Sequence, residues 1–309
     1  MGYKSYEEIL SVIKQRKNKM FTISVASACD RKVLEAIRHV NEIGFAAAIL
    51  VGDKKELQEL SGEINLNLDK FQVIDEPDPI KASIEAVRQV KIGNANCLMK
   101  GMVNTSDFMR PVLDKDSGLR TERILSHLAC FQVPGFNRLI FITDGGLNID
   151  PSLEEKKEIL QNAINYLVSI GYKLPKVAVL SANEKVNPKQ PVTIEADKIK
   201  QMAEIGQITG ALVDGPLSLD LALDLEAVWD KKITSPVAGE ADLILVPTIE
   251  VGNVLGKSLH HCSKAVMAGL ILGAQVPIIL TSRTATMEMK VASLALAALA
   301  DVRTTKDIA

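Results

Sequence analysis

Short runs of apolar residues recur along the chain, and most of them are separated by stretches in which apolar residues return every three or four positions. The runs of strand length are residues 21–25, 46–51, 71–74, 97–99, 139–142, 177–180, 211–213, 243–246 and 276–280. Alternation of strands with amphipathic helices is typical of crossover units in which successive strands run parallel. The pattern therefore predicts an α/β fold with mostly parallel sheets flanked by helices.

Helical periodicity is clearest in four segments, which are residues 6–16, 31–43, 152–170 and 286–300. The third follows Pro151 and carries Glu154 and Glu155 in its first turn, where acidic side chains interact favourably with the helix dipole. The fourth is apolar on nearly every side after Lys290. We expect this last helix to be buried.

The length of 309 residues favours two domains. A polar segment at residues 114–118 precedes what we predict to be a helix, and Pro134-Gly135 follows, so the boundary is expected in this region. We predict a first α/β domain of residues 1–128 with 280–309, and a second of residues 129–279.

Composition narrows the class of protein. Hydrophobic residues make up 47% and aromatic residues only 4%, which suits aliphatic parallel sheets buried under helices. The net charge of -2 provides no bulk field for nucleic acid or an anionic membrane, so any anion must be held by local groups. The chain does not begin like a signal peptide, and its apolar runs are shorter than a membrane span. Four scattered cysteines favour neither a zinc knuckle nor a disulfide framework. We expect a cytoplasmic protein with free thiols.

The strand at residues 276–280 leads directly into Thr281-Ser282-Arg283. Ligands of open α/β sheets bind beyond the carboxyl ends of strands, and a helix beginning there offers free backbone N–H groups to an anion. Ser282 would add a hydroxyl and Arg283 a permanent positive charge with fork geometry. The alternative is an ordinary helix cap beside a solvated arginine.

A second junction follows the strand at residues 97–99, where Lys100-Gly101 leads to small polar residues that cap the next predicted helix. These residues are Asn104, Thr105 and Ser106. Lys100 and Arg110 lie near this junction, which is therefore suited to bind a phosphate or pyrophosphate. The alternative is a capped helix with two surface cations.

A third candidate follows the strand at residues 243–246. Gly252 and Gly256 permit a close approach of the backbone, Asn253 offers a hydrogen bond to a carbonyl or phosphate, and Lys257 lies one helical turn beyond. On its own, this segment favours a loop and helix start without a ligand.

Metal and nucleotide signals are weak. Asp220 and Asp224 lie four residues apart on a predicted helix, a spacing more typical of a solvated acidic face than of a cation site. Neighbours in the run 260–262, His-His-Cys, point about 100° apart on a helix and do not converge on one ion. The common glycine-rich dinucleotide and triphosphate motifs and the serine-hydrolase elbow are absent from the sequence. We therefore expect no metal site.

Four segments together resemble the phosphate acetyl/butyryltransferase family. They are V-D-G-P-L-S-L-D-L-A at residues 213–222, S-P-V-A-G-E-A-D at 235–242, P-T-I-E-V-G-N at 247–253 with Lys257, and Ser282-Arg283. Their order and spacing make chance agreement improbable. Lys100-Gly101 and the modest length favour the butyryl branch of the family.

The resemblance implies a two-domain fold like that of isocitrate and isopropylmalate dehydrogenases, with the active cleft between the domains. It implies transfer of a short acyl group, butyryl or branched, between coenzyme A and inorganic phosphate in a ternary complex. Coenzyme A is then a substrate, and no nucleotide, flavin or metal is required. Neither nucleic acid nor a membrane is implied as a partner, and a homodimer or larger homo-oligomer is expected.

The resemblance also implies roles for individual residues. Ser282 and Arg283 would contact the thioester, the phosphate and the sulfur of coenzyme A. Arg110 would bind phosphates of coenzyme A. The other residues assigned to coenzyme A are Asn104, Thr105, Ser106, Asn253 and Lys257.

One position departs from the acetyl branch, which carries an aspartate as the proposed base where this chain has Met289. Glu288 beside it is our candidate for the base; otherwise another carboxylate serves, or phosphate needs little deprotonation. Two alternatives stay open. One is a metal-dependent decarboxylating dehydrogenase with Asp220 and Asp224 as ligands, and the other is a non-catalytic sensor of coenzyme A esters.

Overall fold

The computed structural model describes residues 2–15, 21–282 and 284–304, in which helices alternate with strands. The helices are α1 (Tyr6–Lys14), α2 (Arg31–Glu42), α3 (Lys54–Glu63), α4 (Pro79–Lys91), α5 (Thr105–Leu113), α6 (Leu153–Ser169), α7 (Pro191–Glu204), α8 (Leu219–Leu223), α9 (Leu225–Asp230), α10 (Ile249–Ser263) and α11 (Met287–Thr304). The strands are β1 (Phe21–Ala26), β2 (Ala46–Gly52), β3 (Gln72–Asp75), β4 (Cys97–Lys100), β5 (Ser126–Gln132), β6 (Ile140–Thr143), β7 (Lys176–Leu180), β8 (Leu212–Leu217), β9 (Leu243–Leu245), β10 (Val266–Leu272) and β11 (Ile278–Ile279). The predicted α/β class is confirmed.

The chain divides into two compact units. The terminal unit contains residues 6–123 and 268–309, and the central unit contains residues 1–5 and 124–267. The division expected from the sequence differs from this one at residues 1–5, 124–128 and 268–279. Hydrogen bonds cross the expected boundaries, because the Leu139 amide donates to the Tyr3 carbonyl, β5 pairs with β6 and β10 pairs with β11.

The sheet of the terminal unit has the strand order β3-β2-β1-β4-β11-β10. All neighbours are parallel except β11 and β10, which are antiparallel. Helix α4 packs against β1, β2 and α5, while α11 packs against α1 and α2. The predicted burial of the last helix is confirmed along its apolar length, where Leu294, Leu296 and Leu299 are fully buried.

The sheet of the central unit has the strand order β5-β6-β9-β7-β8. Strand β5 is antiparallel to β6, and the remaining neighbours are parallel. Helix α6 packs against β5, β6 and α7, and α10 packs against β6. Both units therefore have strands whose carboxyl ends meet at one edge, where side chains from successive loops come together.

Local sequence signals explain where several helices begin. The carboxylate of Asp30 accepts a hydrogen bond from the Val33 amide at the start of α2. Ser152 and Glu155 form a reciprocal capping box at the start of α6, and the predicted start of this helix after Pro151 is confirmed. Such caps supply partners for amides that have none within their own helix.

Two strands differ from the sequence prediction. The helix expected between residues 118 and 134 is wrong, since this region contains β5, whose residues Leu128 to Phe131 pair with β6. The apolar spacing of this segment is compatible with either period, and only the hydrogen-bond ladder of the neighbouring strand selects the extended form. Strand β10 has Ala268 and Gly269 at its centre, two residues of low strand propensity, and the apolar pattern did not reveal it.

In the described residues, no helix combines the length and the apolarity needed to cross a lipid bilayer.

Three neighbouring strands of the terminal unit end together. The register pairs Ala26 of β1 with Lys100 of β4, and Met99 of β4 with Ile279 of β11. Beyond the strands, the Gly101 amide donates to the Ala26 carbonyl at 2.8 Å. A Cβ atom on Gly101 would lie 2.2 Å from the Ser27 carbonyl oxygen, so only glycine fits between these two loops.

Gly101→Ala should lower the free energy of unfolding by about 1–3 kcal/mol, because the added methyl group collides with backbone that must shift. Urea denaturation of this variant and of the parent measures the change in the free energy of unfolding.

Gly62→Ala is the matched control, since Gly62 lies in α3 and a Cβ atom there meets nothing within 4 Å. It should stabilise the protein by about 0.5–1 kcal/mol through helix propensity. Equal effects of the two substitutions would contradict the close approach at Gly101.

Candidate functional site

The terminal-unit edge, which we define as the loops after β1, β4 and β11 together with α5 and the first turn of α11, contains most of the predicted site residues. Lys100 is the last residue of β4, and the loop after it leads to Asn104, the N-cap residue of α5. The loop after β11 carries Thr281 and Ser282. Because β4 pairs with both β1 and β11, residues distant in sequence are brought to one edge of the sheet.

Ser282 lies in a turn and not at a helix N-terminus. Its hydroxyl shares a hydrogen bond of 3.0 Å with the Thr284 hydroxyl, and its carbonyl accepts from the Ala285 amide. The last helix starts at Met287, one residue from its predicted start, and the Thr286 hydroxyl accepts from the Met289 amide in its first turn. Ser282 is exposed, so its hydroxyl is accessible to a ligand.

Arg283, the second predicted catalytic residue, lies outside the described residues. Glu288 is exposed in the first turn of α11. Met289 beside it is half-buried, and its backbone carbonyl accepts from the Ser293 hydroxyl. The carboxylate of Glu288 is therefore on the accessible side of the helix start, in contrast to its neighbour.

Two lysines of the terminal-unit edge are buried. Lys100 is 6% exposed, and its ammonium donates to the carbonyls of Gly101 and Val103 at 3.1 and 2.9 Å. Lys290 is 2% exposed, and its ammonium donates to the Thr281 hydroxyl at 2.9 Å. Burial lowers the pKa of Lys290; Asp30 acts in the opposite direction, and Lys100 and Lys32 lower the pKa further. The sequence analysis placed Lys100 near the site but assigned no role to Lys290.

The first turns of α5 present polar groups to solvent. Asn104, Thr105 and Ser106 are exposed at its start, and the predicted helix after the strand is confirmed. Arg110 is also exposed and forms an ion pair of 3.5 Å with Asp107, three residues earlier. This side of the terminal-unit edge is exposed, and Arg110 is its cationic group beside neutral polar side chains.

The central-unit edge, formed by the loops after β6, β7 and β9, is organised around Asp144, which the sequence analysis missed. Asp144 is 3% exposed, and its carboxylate accepts from the amides of His127, Gly146 and Leu147 and from the Asn148 side chain. Burial lowers the pKa of the neighbouring His127. The available signal was a cluster of polar and glycine residues directly after the strand at residues 139–142.

Asn253 and Lys257 lie on α10 of this same edge, and both are exposed. A Cβ atom on Gly252 would lie 2.5 Å from the Cα atom of Gly145, so the helix packs directly against the loop after β6. The Asn253 side-chain amide donates to the Gly145 carbonyl at 3.5 Å. The predicted close backbone approach at Gly252 thus occurs between protein segments and positions Asn253.

Two of the four family-like segments are internal to the central unit. Asp214 of V-D-G is buried and pairs with Lys200 at 2.8 Å. In S-P-V-A-G, the Ser235 hydroxyl accepts from the amides of Val237 and Ala238, which are buried beneath α8. These segments support the fold, whereas the segments that contain Asn253 and Ser282 reach the edges of the sheets.

Asp220 of α8 and Asp224, which directly follows this helix, both bind protein groups. Hydrogen bonds from Lys231, and then from Ser218, lower the pKa of Asp220 to about 2. Asp224 caps α9 and accepts from the Glu226 amide. No group of three or more histidine, cysteine, aspartate or glutamate side chains arranged to hold a metal occurs in the described part of the chain. The four cysteines are free thiols, as expected.

Comparison with known proteins places the chain among acyltransferases. The family model described as "Phosphate acetyl/butaryl transferase" matches residues 7–79 and 78–298. The chain is 43% identical to the phosphate butyryltransferase of Clostridium acetobutylicum over 296 residues, which are 96% of this chain and 98% of that enzyme.

Solved structures agree with this placement. A branched-chain phosphotransacylase from Enterococcus faecalis V583 matches with a TM-score of 0.83 and 33% identity, over 91% of this chain and 99% of that one. A 4-hydroxythreonine-4-phosphate dehydrogenase from Klebsiella pneumoniae matches with a TM-score of 0.58 and 13% identity, over 92% and 100%. This second likeness concerns the fold alone and agrees with the predicted dehydrogenase-like architecture. The chain belongs to the phosphate acetyl/butyryl transferase family.

Proposed function

We propose that this chain catalyses the reversible reaction acyl-CoA + phosphate ⇌ acyl phosphate + CoA. The observation that carries the proposal is the likeness along nearly the whole chain to an enzyme named phosphate butyryltransferase. The terminal-unit edge supports it, because buried cations and accessible hydroxyl groups are suited to anionic substrates. The proposed reaction uses no cofactor besides its two substrates.

The proposed reaction is a direct attack in a ternary complex. A phosphate oxygen attacks the thioester carbonyl carbon, a C–O bond forms, the C–S bond breaks, and the thiolate of coenzyme A leaves and takes up a proton. Negative charge develops first on the carbonyl oxygen and then on the sulfur. Arg283 and the Ser282 hydroxyl are proposed to stabilise this charge, a role that contributes about 3–4 kcal/mol per well-placed donor.

The proton acceptor is proposed to be Glu288, which is exposed in the first turn of α11 next to Met289. Phosphate is already mostly anionic at neutral pH, so the base matters more for the thiol of coenzyme A in the reverse direction. The position of this carboxylate on the accessible side of the helix start supports the assignment.

Exposed polar and charged side chains are proposed to contact coenzyme A. On the terminal unit these are Asn104, Thr105, Ser106 and Arg110, and on the central unit they are Asn253 and Lys257. Arg110 offers a charged fork that matches phosphate oxygens. Holding both substrates in register contributes the proximity term of catalysis.

The acyl group is proposed to be butyryl or a branched chain of similar size. Family membership alone does not determine the size of the acyl group, since the family model covers acetyl and butyryl enzymes. The names of the similar proteins, a phosphate butyryltransferase and a branched-chain phosphotransacylase, support the larger group. We further propose that the protein works in the cytoplasm, where coenzyme A esters are metabolised, as a homodimer or larger homo-oligomer.

The purified protein should release coenzyme A from butyryl-CoA and isobutyryl-CoA, and more slowly from acetyl-CoA, only when phosphate or arsenate is present. Thiol release monitored with a chromogenic disulfide measures this. A chelator should leave the rate unchanged.

Two results would contradict the proposed reaction. Tight binding of coenzyme A without turnover on any of the three esters would indicate a sensor. Nicotinamide-dependent turnover that a chelator abolishes would indicate a dehydrogenase.

Arg283→Ala should lower kcat by about 10²- to 10³-fold, because one charged donor to the developing oxyanion is lost. Arg283→Lys, which keeps the charge without the fork, should recover only part of the rate. Steady-state kinetics on both variants test this, and a rate equal to that of the parent would remove Arg283 from the mechanism.

Arg110→Ala should raise the KM for coenzyme A about three- to tenfold at unchanged kcat, because an exposed charge contact to the substrate is lost. Arg88→Ala is the matched control, since Arg88 is also exposed and pairs with Glu85 three residues away. Initial rates with acyl phosphate and coenzyme A as substrates give the KM of each variant. Identical KM values for the two variants would contradict a role for Arg110 in binding.

A further inference from the structure

Lys100 and Lys290 are buried at the terminal-unit edge to an extent unusual for lysine. Their exposed fractions are 6% and 2%. A lysine is almost never fully buried unless its charge has a partner, because transfer of an ammonium group out of water is costly. The nature of that partner is therefore informative.

The fold brings these two ammonium groups to the same place. Lys100 is the last residue of β4, and Met99 before it pairs with Ile279 of β11. Two residues beyond Ile279, the Thr281 hydroxyl accepts from the ammonium of Lys290, which reaches back from the first turn of α11. Both charges thus lie at the carboxyl ends of adjacent parallel strands, the usual position of a ligand in such sheets.

Neutral groups accept hydrogen bonds from both ammonium groups. Lys100 donates to the carbonyls of Gly101 and Val103, and Lys290 donates to the hydroxyl of Thr281. An ammonium group has three donors, so the single bond of Lys290 within the described residues leaves it capacity for further acceptors. A structural ion pair would place a carboxylate here, and none is bonded to Lys290 in the described part of the chain.

Charge at this position is unbalanced. Lys100 and the exposed Lys32 act on Lys290 as like charges, and Asp30 is the one acidic group that acts on it among the described residues. The Asp30 carboxylate already accepts from the Val33 amide as the cap of α2, at 3.0 Å. Among the charged groups that act on Lys290, cations outnumber anions, and a bound anion would balance them.

We propose that Lys290 and Lys100 form the binding site for the tetrahedral phosphate: inorganic phosphate in one direction, and the phosphoryl group of acyl phosphate in the other. This rests on the proposed function and names the subsite for its smaller substrate. Both lysines bind and orient phosphate oxygens, and neither forms a covalent bond. Thr281, directly before Ser282-Arg283, holds Lys290 next to the residues assigned to the thioester.

Burial distinguishes this subsite from the groups assigned to coenzyme A. Asn104, Thr105, Ser106 and Arg110 are exposed on α5, where a large substrate can spread over the surface. Lys100 and Lys290 are buried, where charge interactions are less screened by water. The two regions therefore differ in their exposure to water.

The test uses the full chain with Lys290→Met and Lys100→Met, which keep side-chain length and remove the charge. Lys32→Met is the matched control, because Lys32 is also cationic and acts on Lys290 but is exposed. Thermal unfolding is followed in inorganic phosphate at rising concentration, without coenzyme A. Steady-state kinetics then give KM for phosphate and for butyryl-CoA separately.

Phosphate should raise the melting temperature of the parent and of Lys32→Met, and this rise should vanish in both buried-lysine variants. Their KM for phosphate should increase by about tenfold or more, with KM for butyryl-CoA within about twofold of the parent. Melting without phosphate checks folding, and Lys290→Gln replaces Lys290→Met if that variant does not fold. Lys290→Arg, which keeps the charge, should retain part of the phosphate response.

A folded Lys290→Met with the parent's phosphate response and KM would overturn the proposal. So would an equal loss in Lys32→Met, which would indicate a general field instead of a binding site. A parent that binds phosphate through Lys290 but turns over no acyl-CoA would contradict the proposed function and leave this site intact. The two failures are therefore distinguishable.

Discussion

The parallel pairing of β4 with β1 on one side and β11 on the other is the constraint on which the terminal-unit edge depends. It sets Ala26, Lys100 and the residues after Ile279 at one level, so that three loops emerge together. Gly101 lets the loops after β1 and β4 touch, because a side chain there would overlap the Ser27 carbonyl. This contact helps to hold Lys100, Lys290 and Ser282 at the same edge of the sheet.

The central unit uses the same principle with different chemistry. A buried carboxylate, Asp144, gathers backbone amides and the Asn148 side chain, which defines the loop after β6. Gly252 then packs against Gly145 at backbone distance and aims Asn253 along that loop. Each unit thus pairs a rigid, closely packed loop with exposed polar groups suited to a large anionic substrate.

Local pattern predicted much of this arrangement. The strands at residues 97–99 and 243–246, and the helices that follow them, lie where the apolar runs indicated. Strand β5 was missed because its apolar spacing fits a helix as well, and only pairing with β6 decides the matter. Lys290 was missed for a related reason: a lysine in the first turn of a helix is normally solvated, and its burial follows from the packing of α11 against α1 and α2.

By itself, the sequence determined the α/β class, through the alternation of apolar periods, and the family, through ordered segments such as the one that ends in Asn253. It did not separate segments that support the fold from those that reach a site, since Asp214 and Ser235 look as functional as Ser282. Tertiary structure decided that Asp214 pairs internally with Lys200 and that Lys100 and Lys290 share one buried edge. The physical reason is that periodicity is encoded within a few residues, whereas burial of a charge depends on groups brought from distant parts of the chain.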